Sequence, residues 1–179
     1  MCLIYAGIGS RETPPDVLKD MELIGEILAD KGCILRSGGA EGADQAFEKG
    51  CDKAKGKKEI YLPWFGFNNK NGIVPEMTDS LYEFSAKYHP AWNQLSQGAK
   101  KLIARNACQV FGITGDNPVD FIICWTPNGE IKGGTGQALR IAKDFAIPVF
   151  NLGSMSLDDV DAMISEVFPS LITENDNSK

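Results

Sequence analysis

Short apolar runs alternate along the chain with longer stretches of helical period. The runs are Leu3–Ala6, Cys33–Arg36, Glu59–Leu62, Phe121–Trp125 and Pro148–Asn151. Each is brief and nearly all apolar, the pattern of strands covered on both faces. Between the first two, Thr13 stands as a cap, Pro14 at the first helical position and Asp16 three residues after the cap. Val17, Met21, Ile24 and Leu28 fall on one face before Gly32 stops the helix. A second helix places Ala138, Ile141, Ala142 and Phe145 on one stripe, and a third begins at Ser156 and buries Val160, Met163, Ile164 and Val167. Strand and helix in strict alternation predict β-α-β units with a mainly parallel sheet flanked by helices, an α/β domain.

Two regions break the alternation. Residues 63–80, "PWFGFNNKNGIVPEMTDS", are too long and too rich in Asn, Gly and Pro for a routine connection, and are expected to form a functional loop or lid. After them, "HPAWNQLSQGAKKLIARNACQVFG" carries Leu95, Ala99, Leu102 and Ile103 at helical spacing, predicting an amphipathic helix to about Val110 that also bears Arg105 and Asn106.

A length of 179 residues with 43% hydrophobic content fits one domain, expected over residues 1–172, with 173–179 as a polar tail that frays. The formal net charge of −6 offers no basic footprint for a nucleic-acid backbone, so duplex DNA or RNA is a poor partner. The five cysteines stand singly and only one histidine is present, so neither a metal site nor a resident cofactor is expected. The amino terminus lacks a basic region ahead of its short apolar run, and no membrane span is expected; a reducing cytoplasm is the expected location.

Three Gly-rich bends each follow a predicted strand and precede a helix: "AGIGSRETP" (6–14), "SGGAEGAD" (37–44) and "KGGTGQA" (132–138). Small residues let a ligand approach the backbone amides, and the partial positive charge of a helix start favours an anion such as phosphate. In an open α/β sheet these bends lie together beyond the carboxyl ends of the strands. None matches GxxxxGK[ST], and none is the full GxGxxG fingerprint with an acidic residue about 20 positions on.

Taken together, "GIGSRETP", "RSGGAEGADQAFE", "HPAWNQLSQGAKKLIARNACQVFG" and "CWTPNGEIKGGTGQALRIAKDFAIPVFNL" resemble the SLOG superfamily of Rossmann-like proteins. That group includes the DNA-processing protein A core, the Lonely-guy phosphoribohydrolases and ligand-sensing domains of anti-phage systems, and this chain is most similar to small stand-alone members common in phage genomes. The resemblance covers about residues 2–152. It implies a Rossmann-like fold, a homo-oligomer, and a nucleotide or nucleotide-derived ligand (cyclic nucleotide or ADP-ribose type), sequestered in phage and host conflict. The ligand would lie against Gly7, Gly9, Ser10 and Arg11 of the first bend, Ser37, Gly38, Gly39 and Asp44 of the second, and Gly133, Gly134, Thr135 and Gly136 of the third, with Arg105 and Asn106 reaching in from their helix.

The phosphoribohydrolases of the superfamily read PGGxGTxxE, and Arg140 stands here where their glutamate acts. A cation there cannot support an oxocarbenium-like centre and would favour an anion. Binding without turnover is therefore expected. Hydrolysis of an N-glycosidic bond would need Glu41, Asp44 or Glu130 to supply the missing carboxylate. Each residue also has a plain reading: Asp44 as a helix-start charge, Glu41 as solvated, Arg11 as solvated, Arg105 as paired with a carboxylate. His89 before Pro90 is expected at an extended helix entry and reads as a structural or capping residue. Trp64, Phe65, Phe67 and Trp92 read as packing or interface residues, or as a platform stacking on a base. Trp64–Phe67 and the long helix from Ser96 supply the expected oligomer interface.

Overall fold

The alternation is realised strand by strand. In a computed structural model describing residues 2–171, β1 (Ile4–Gly7) leads into α1 (Pro15–Asp30), β2 (Ile34–Ser37) into α2 (Ala43–Lys53), and β3 (Lys58–Ile60) into a long connection before α3 (Asp79–Tyr88) and α4 (Gln97–Phe111). β4 (Phe121–Cys124), α5 (Gly133–Asp144), β5 (Val149–Asn151) and α6 (Leu157–Val167) follow. All paired strands are parallel in the order β3-β2-β1-β4-β5. The strand order thus reverses between β1 and β4, where an open α/β sheet has a crevice at its carboxyl edge. The expected single Rossmann-like α/β domain is found; the tail at 173–179 lies outside the described residues.

The two-residue side-chain period of the strands divides the core. Tyr5, Phe121, Ile123 and Phe150 face Met21 and Leu28 of α1, Phe47 of α2 and Ile164 of α6. Ala6, Ile122 and Cys124 face Ala107 and Val110 of α4 and Ala138 and Ile141 of α5. All five cysteines are free, and Cys33, Cys51, Cys108 and Cys124 are buried. α1 and α2 touch backbone to backbone at Gly50, where a Cβ would stand 2.0 Å from the Glu22 carbonyl oxygen.

Ser156 caps α6 as expected, with Asp159 returning the contact in a capping box. Thr13 does not cap α1: Pro14 holds the cap position, and the Thr13 hydroxyl donates to the Ser10 carbonyl at 2.7 Å, tying down the first bend. α3 is an element the sequence reading passed over. Its Thr78 cap accepts from Leu81 N at 3.2 Å, and Leu81, Phe84 and Tyr88 lie against the core three and four residues apart.

The connection after β3 is tied rather than loose. Ile73 N donates to Ile60 O at 2.7 Å and Leu62 N to Ile73 O at 2.8 Å. Lys70 Nζ meets Glu48 of α2 at 2.7 Å, and Asn68 Nδ2 donates to Gly39 O at 3.0 Å. The segment is a strap over the second bend. No helix among the described residues is long and apolar enough to cross a membrane.

Candidate functional site

A cavity of about 780 Å³ opens at the reversal between β1 and β4. Its floor and one side are the first bend (Gly9, Ser10, Arg11, Glu12), part of the second (Ala40, Glu41, Asp44) and the third (Lys132, Gly133, Gly134, Thr135). The opposite wall is a stripe of α4 and the residues before it: Leu95, Ala99, Leu102, Ile103, Asn106 and Gln109. Phe67 and Asn68 of the strap close it above. This size suits a nucleotide-sized molecule.

The third bend offers bare backbone. Lys132 occupies the cap position of α5 without a side-chain cap, Gly133 adopts φ +64°, and no heavy atom lies within 4 Å of a Cβ built there. Around Gly134 the nearest atom is Asn106 Nδ2 at 3.8 Å. The first amides of a helix have no partners within it, and together with the helix dipole they attract an anion. Asn106 is the brace, donating through Nδ2 to Gly134 O at 3.1 Å.

Arg105 lines the same cavity while 4% exposed. Its Nη1 donates to Gly38 O and, at 2.9 Å, to Tyr61 O, and the Phe67 ring centre lies 5.8 Å from its Cζ. Its Nε has no partner. A buried donor without an acceptor costs about 1–3 kcal/mol. Burial lowers the Arg105 pKa, opposed by the nearby charge of Asp44.

Asp44, in the first turn of α2, is also 4% exposed and accepts from Ala40 N at 3.2 Å. Burial pushes its carboxyl up to about 6, against the pull of Arg105 and of the backbone amides of Ala40, Gly38 and Gly9. Among the described residues it forms no ion pair within 4.0 Å.

Of the residues expected from the sequence, Gly9, Ser10, Arg11, Asp44, Arg105, Asn106, Gly133, Gly134 and Thr135 come together on the cavity wall, with Glu41 at its edge. Gly7, Ser37, Gly38, Gly39, Gly136 and Glu130 do not line it. A Cβ at Gly7 would sit 2.6 Å from Phe47 Cγ, so that glycine makes room for α2. The Ser37 hydroxyl is buried and donates to Gly7 O at 2.6 Å, joining β2 to β1. A Cβ at Gly38 would meet Arg105 and Gln109 at 2.2 and 2.3 Å, and one at Gly39, whose φ is +65°, would meet Leu62 at 2.8 Å. Gly136 packs against the Ile131 backbone, and Glu130 is exposed and paired with Lys132.

Arg140 also departs from expectation. Its guanidinium donates to Tyr88 O at 3.2 Å and Ile131 O at 3.4 Å, and it does not line the cavity. Its charge is spent on two carbonyls that bind α5 to the end of α3. His89 stands at the carboxyl end of α3 rather than at a helix entry, and accepts from Ala91 N through Nδ1 at 3.3 Å; burial and Arg140 lower its pKa. Among the aromatics, Phe67 lines the cavity with Trp64 edge-on behind it at 5.2 Å, Trp92 packs on Tyr82 and Phe65 stands exposed.

Glu12, Gln109, Thr126 and Lys132 on the wall were not singled out from the sequence. The signal available for Gln109 was its register, since 99, 102, 106 and 109 recur every three or four residues along α4. No cluster of His, Cys, Asp and Glu able to hold a metal occurs among the described residues.

No protein-family model matches the chain, and no curated protein sequence matches it. Solved structures do. The molybdenum cofactor carrier protein of Chlamydomonas reinhardtii matches with a TM-score of 0.55 at 17% identity, over 96% of this chain and 87% of that one. A second structure of that carrier gives 0.51 at 16% identity, over 96% and 88%. DNA processing protein A of Helicobacter pylori, solved for its single-stranded DNA binding mode, matches with 0.53 at 19% identity, over 92% of this chain and 72% of that one. At these identities the likeness establishes the architecture. DNA-processing protein A is one of the proteins whose superfamily the sequence motifs resemble.

Proposed function

We propose that this protein binds a nucleotide or nucleotide-derived signalling molecule in the cavity between the first and third bends. One observation carries the reading: the uncapped start of α5 and the buried, charged Arg105 line a single cavity together with the apolar side chains Ala99, Leu102 and Ile103 of α4. An anionic group fits the first two, and a base fits between Phe67 and the Leu102–Ile103 wall. One similar structure is named as the carrier of a small cofactor, which suits a fold that holds a ligand in a pocket. The resemblance to stand-alone phage members makes sequestration of a host signal the biological role we favour, in a cytoplasmic homo-oligomer.

A second reading, hydrolysis of a nucleoside monophosphate at its N-glycosidic bond, has one observation in its favour. Asp44 holds a proton up to about pH 6 inside the cavity, as a carboxyl acting in general acid catalysis must. Glu41 is the other carboxylate at hand; Glu130 is committed to Lys132. DNA binding, after the second similar protein, is disfavoured by the net charge of −6.

Mass spectrometry of ligand released from the purified protein tests the first reading, and chromatography of the same ligand after long incubation separates binding from hydrolysis. Arg105→Ala is expected to weaken an anionic ligand by about 1.5–3 kcal/mol in calorimetry. Unchanged affinity with the fold retained would place the anion elsewhere, and free base accumulating over many turnovers would establish the hydrolase.

A further inference from the structure

The charges on the cavity wall are nearly balanced, and this bears on how much negative charge a ligand can bring. The cations are Arg11 on the first bend, Arg105 on α4 and Lys132 ahead of α5; the carboxylates are Glu12 on the first bend and Glu41 and Asp44 on the second. Lys132 is paired with Glu130. Arg105, which lines the cavity, has one nitrogen committed to two carbonyls, and its Nε is buried without a partner. What remains for an anion is the part of Arg105 that lines the cavity, Arg11 and the amides of the third bend.

Asp44 differs from the other two carboxylates in being buried. Glu12 and Glu41 are exposed, where water and salt damp their charge. Asp44 is enclosed with Arg105, feels its charge without touching it, and pairs with no other cation among the described residues. Charge in such a place is poorly screened and acts across several ångströms. One anionic group can sit against Arg105 and the start of α5 with net attraction. A second, held in the same cavity, meets no further unspent cation except Arg11, and it meets Asp44.

Resting on the reading above, we propose that the cavity accepts ligands with a single anionic group and rejects those with a second, and that ionised Asp44 makes the distinction. The ligand class is then a nucleoside monophosphate diester, such as a cyclic mononucleotide, rather than a diphosphate of ADP-ribose type. The carboxyl titrates at about 6, so the discrimination is set at neutral pH and relaxes as the pH falls below that value.

Calorimetry with adenosine 3′,5′-cyclic monophosphate and with ADP-ribose tests this, because the phosphates of neither probe titrate between about pH 5.5 and about pH 7.5. The wild-type protein is expected to bind the cyclic probe at both values. It should bind ADP-ribose weakly at the higher pH and about sevenfold more tightly at the lower. Asp44→Asn should bind ADP-ribose about tenfold more tightly than the wild type at about pH 7.5 and lose the pH dependence. The wild-type pH series stands without any variant, so a misfolded Asp44→Asn does not spare the proposal. ADP-ribose bound as tightly as the cyclic probe at the higher pH, or bound weakly with no response to pH, overturns it while leaving the anion-binding cavity in place. Failure of both probes at every pH brings down the cavity reading and this inference together.

Discussion

The second and third bends have nearly the same composition and do opposite things with it. At Gly133 and Gly134 of the third bend the glycines leave the backbone bare: nothing stands within 4 Å of a Cβ at Gly133, and one at Gly134 comes no nearer than 3.8 Å to Asn106 and 4.0 Å to Ile103. At Ser37–Asp44 the space beside the glycines is already taken, by Arg105 and Gln109 at Gly38 and by Leu62 at Gly39. The third bend gives its amides to the cavity. The second gives its carbonyl at Gly38 to Arg105, and so holds the side chain that faces the cavity in its place. A Gly-rich turn thus has two uses, close approach by a ligand or close approach by the protein itself, and the sequence pattern is the same for both.

The largest effect that separates them is on stability. Gly38→Val places a branched side chain where Arg105 Nη1 and Gln109 Nε2 now lie, so a buried charge must leave its carbonyl acceptors. Overpacking of this kind, with loss of a buried hydrogen bond, is expected to cost about 3 kcal/mol. Urea unfolding measures it directly. Gly39→Val should follow the same course, since valine is strained at its φ of +65°. Either variant unfolding at the wild-type midpoint would mean that the second bend has room we do not see.

The matching substitution in the third bend should leave the fold alone. Gly134→Val adds a side chain to the first turn of α5 in open space, where valine is slightly better than glycine as a helix former. It covers the amides, and anionic ligand affinity is expected to fall about tenfold, roughly 1.4 kcal/mol. Unfolding midpoint and affinity measured on one preparation decide the matter: a destabilised protein with normal binding would erase the contrast between the bends.

Much of the architecture was legible because it depends on local rules. Each of the five apolar runs became a strand within two residues of its expected bounds, and Ser156 capped its helix. What was not legible depends on atoms distant in sequence. α4 carries two apolar stripes, and the spacing of Leu95, Ala99, Leu102 and Ile103 predicts only an amphipathic helix. The core-facing stripe is Ala107, Val110 and Phe111, while the first stripe walls the cavity. Periodicity shows that a helix has an apolar face and cannot say whether protein or ligand covers it. Gly7 and Gly38 were assigned to the ligand for the same reason, since Phe47 and Arg105 come to them only in the fold. α3 was missed although its Thr78 cap and the spacing of Leu81, Phe84 and Tyr88 were present, because the Asn- and Gly-rich strap before it drew the boundary too late.

The smallest effect sharpens the comparison from the far end of the third bend. By alignment with the phosphoribohydrolase motif, Arg140 replaces a glutamate that acts on substrate, which makes its charge a reason to expect anion binding. In the structure that charge is directed away, onto Tyr88 O and Ile131 O, in two long hydrogen bonds at a partly exposed site. Arg140→Ala should therefore lower stability by only about 0.5–1 kcal/mol, the usual worth of such contacts. It should leave anionic ligand affinity within about twofold, because the cavity's own cations and amides are untouched. Were Arg140→Ala instead to weaken binding as much as Arg105→Ala does, the guanidinium would have to turn into the cavity when ligand arrives. The third bend would then act through a side chain as well as through its backbone, and the difference between the two bends would narrow to their glycines alone.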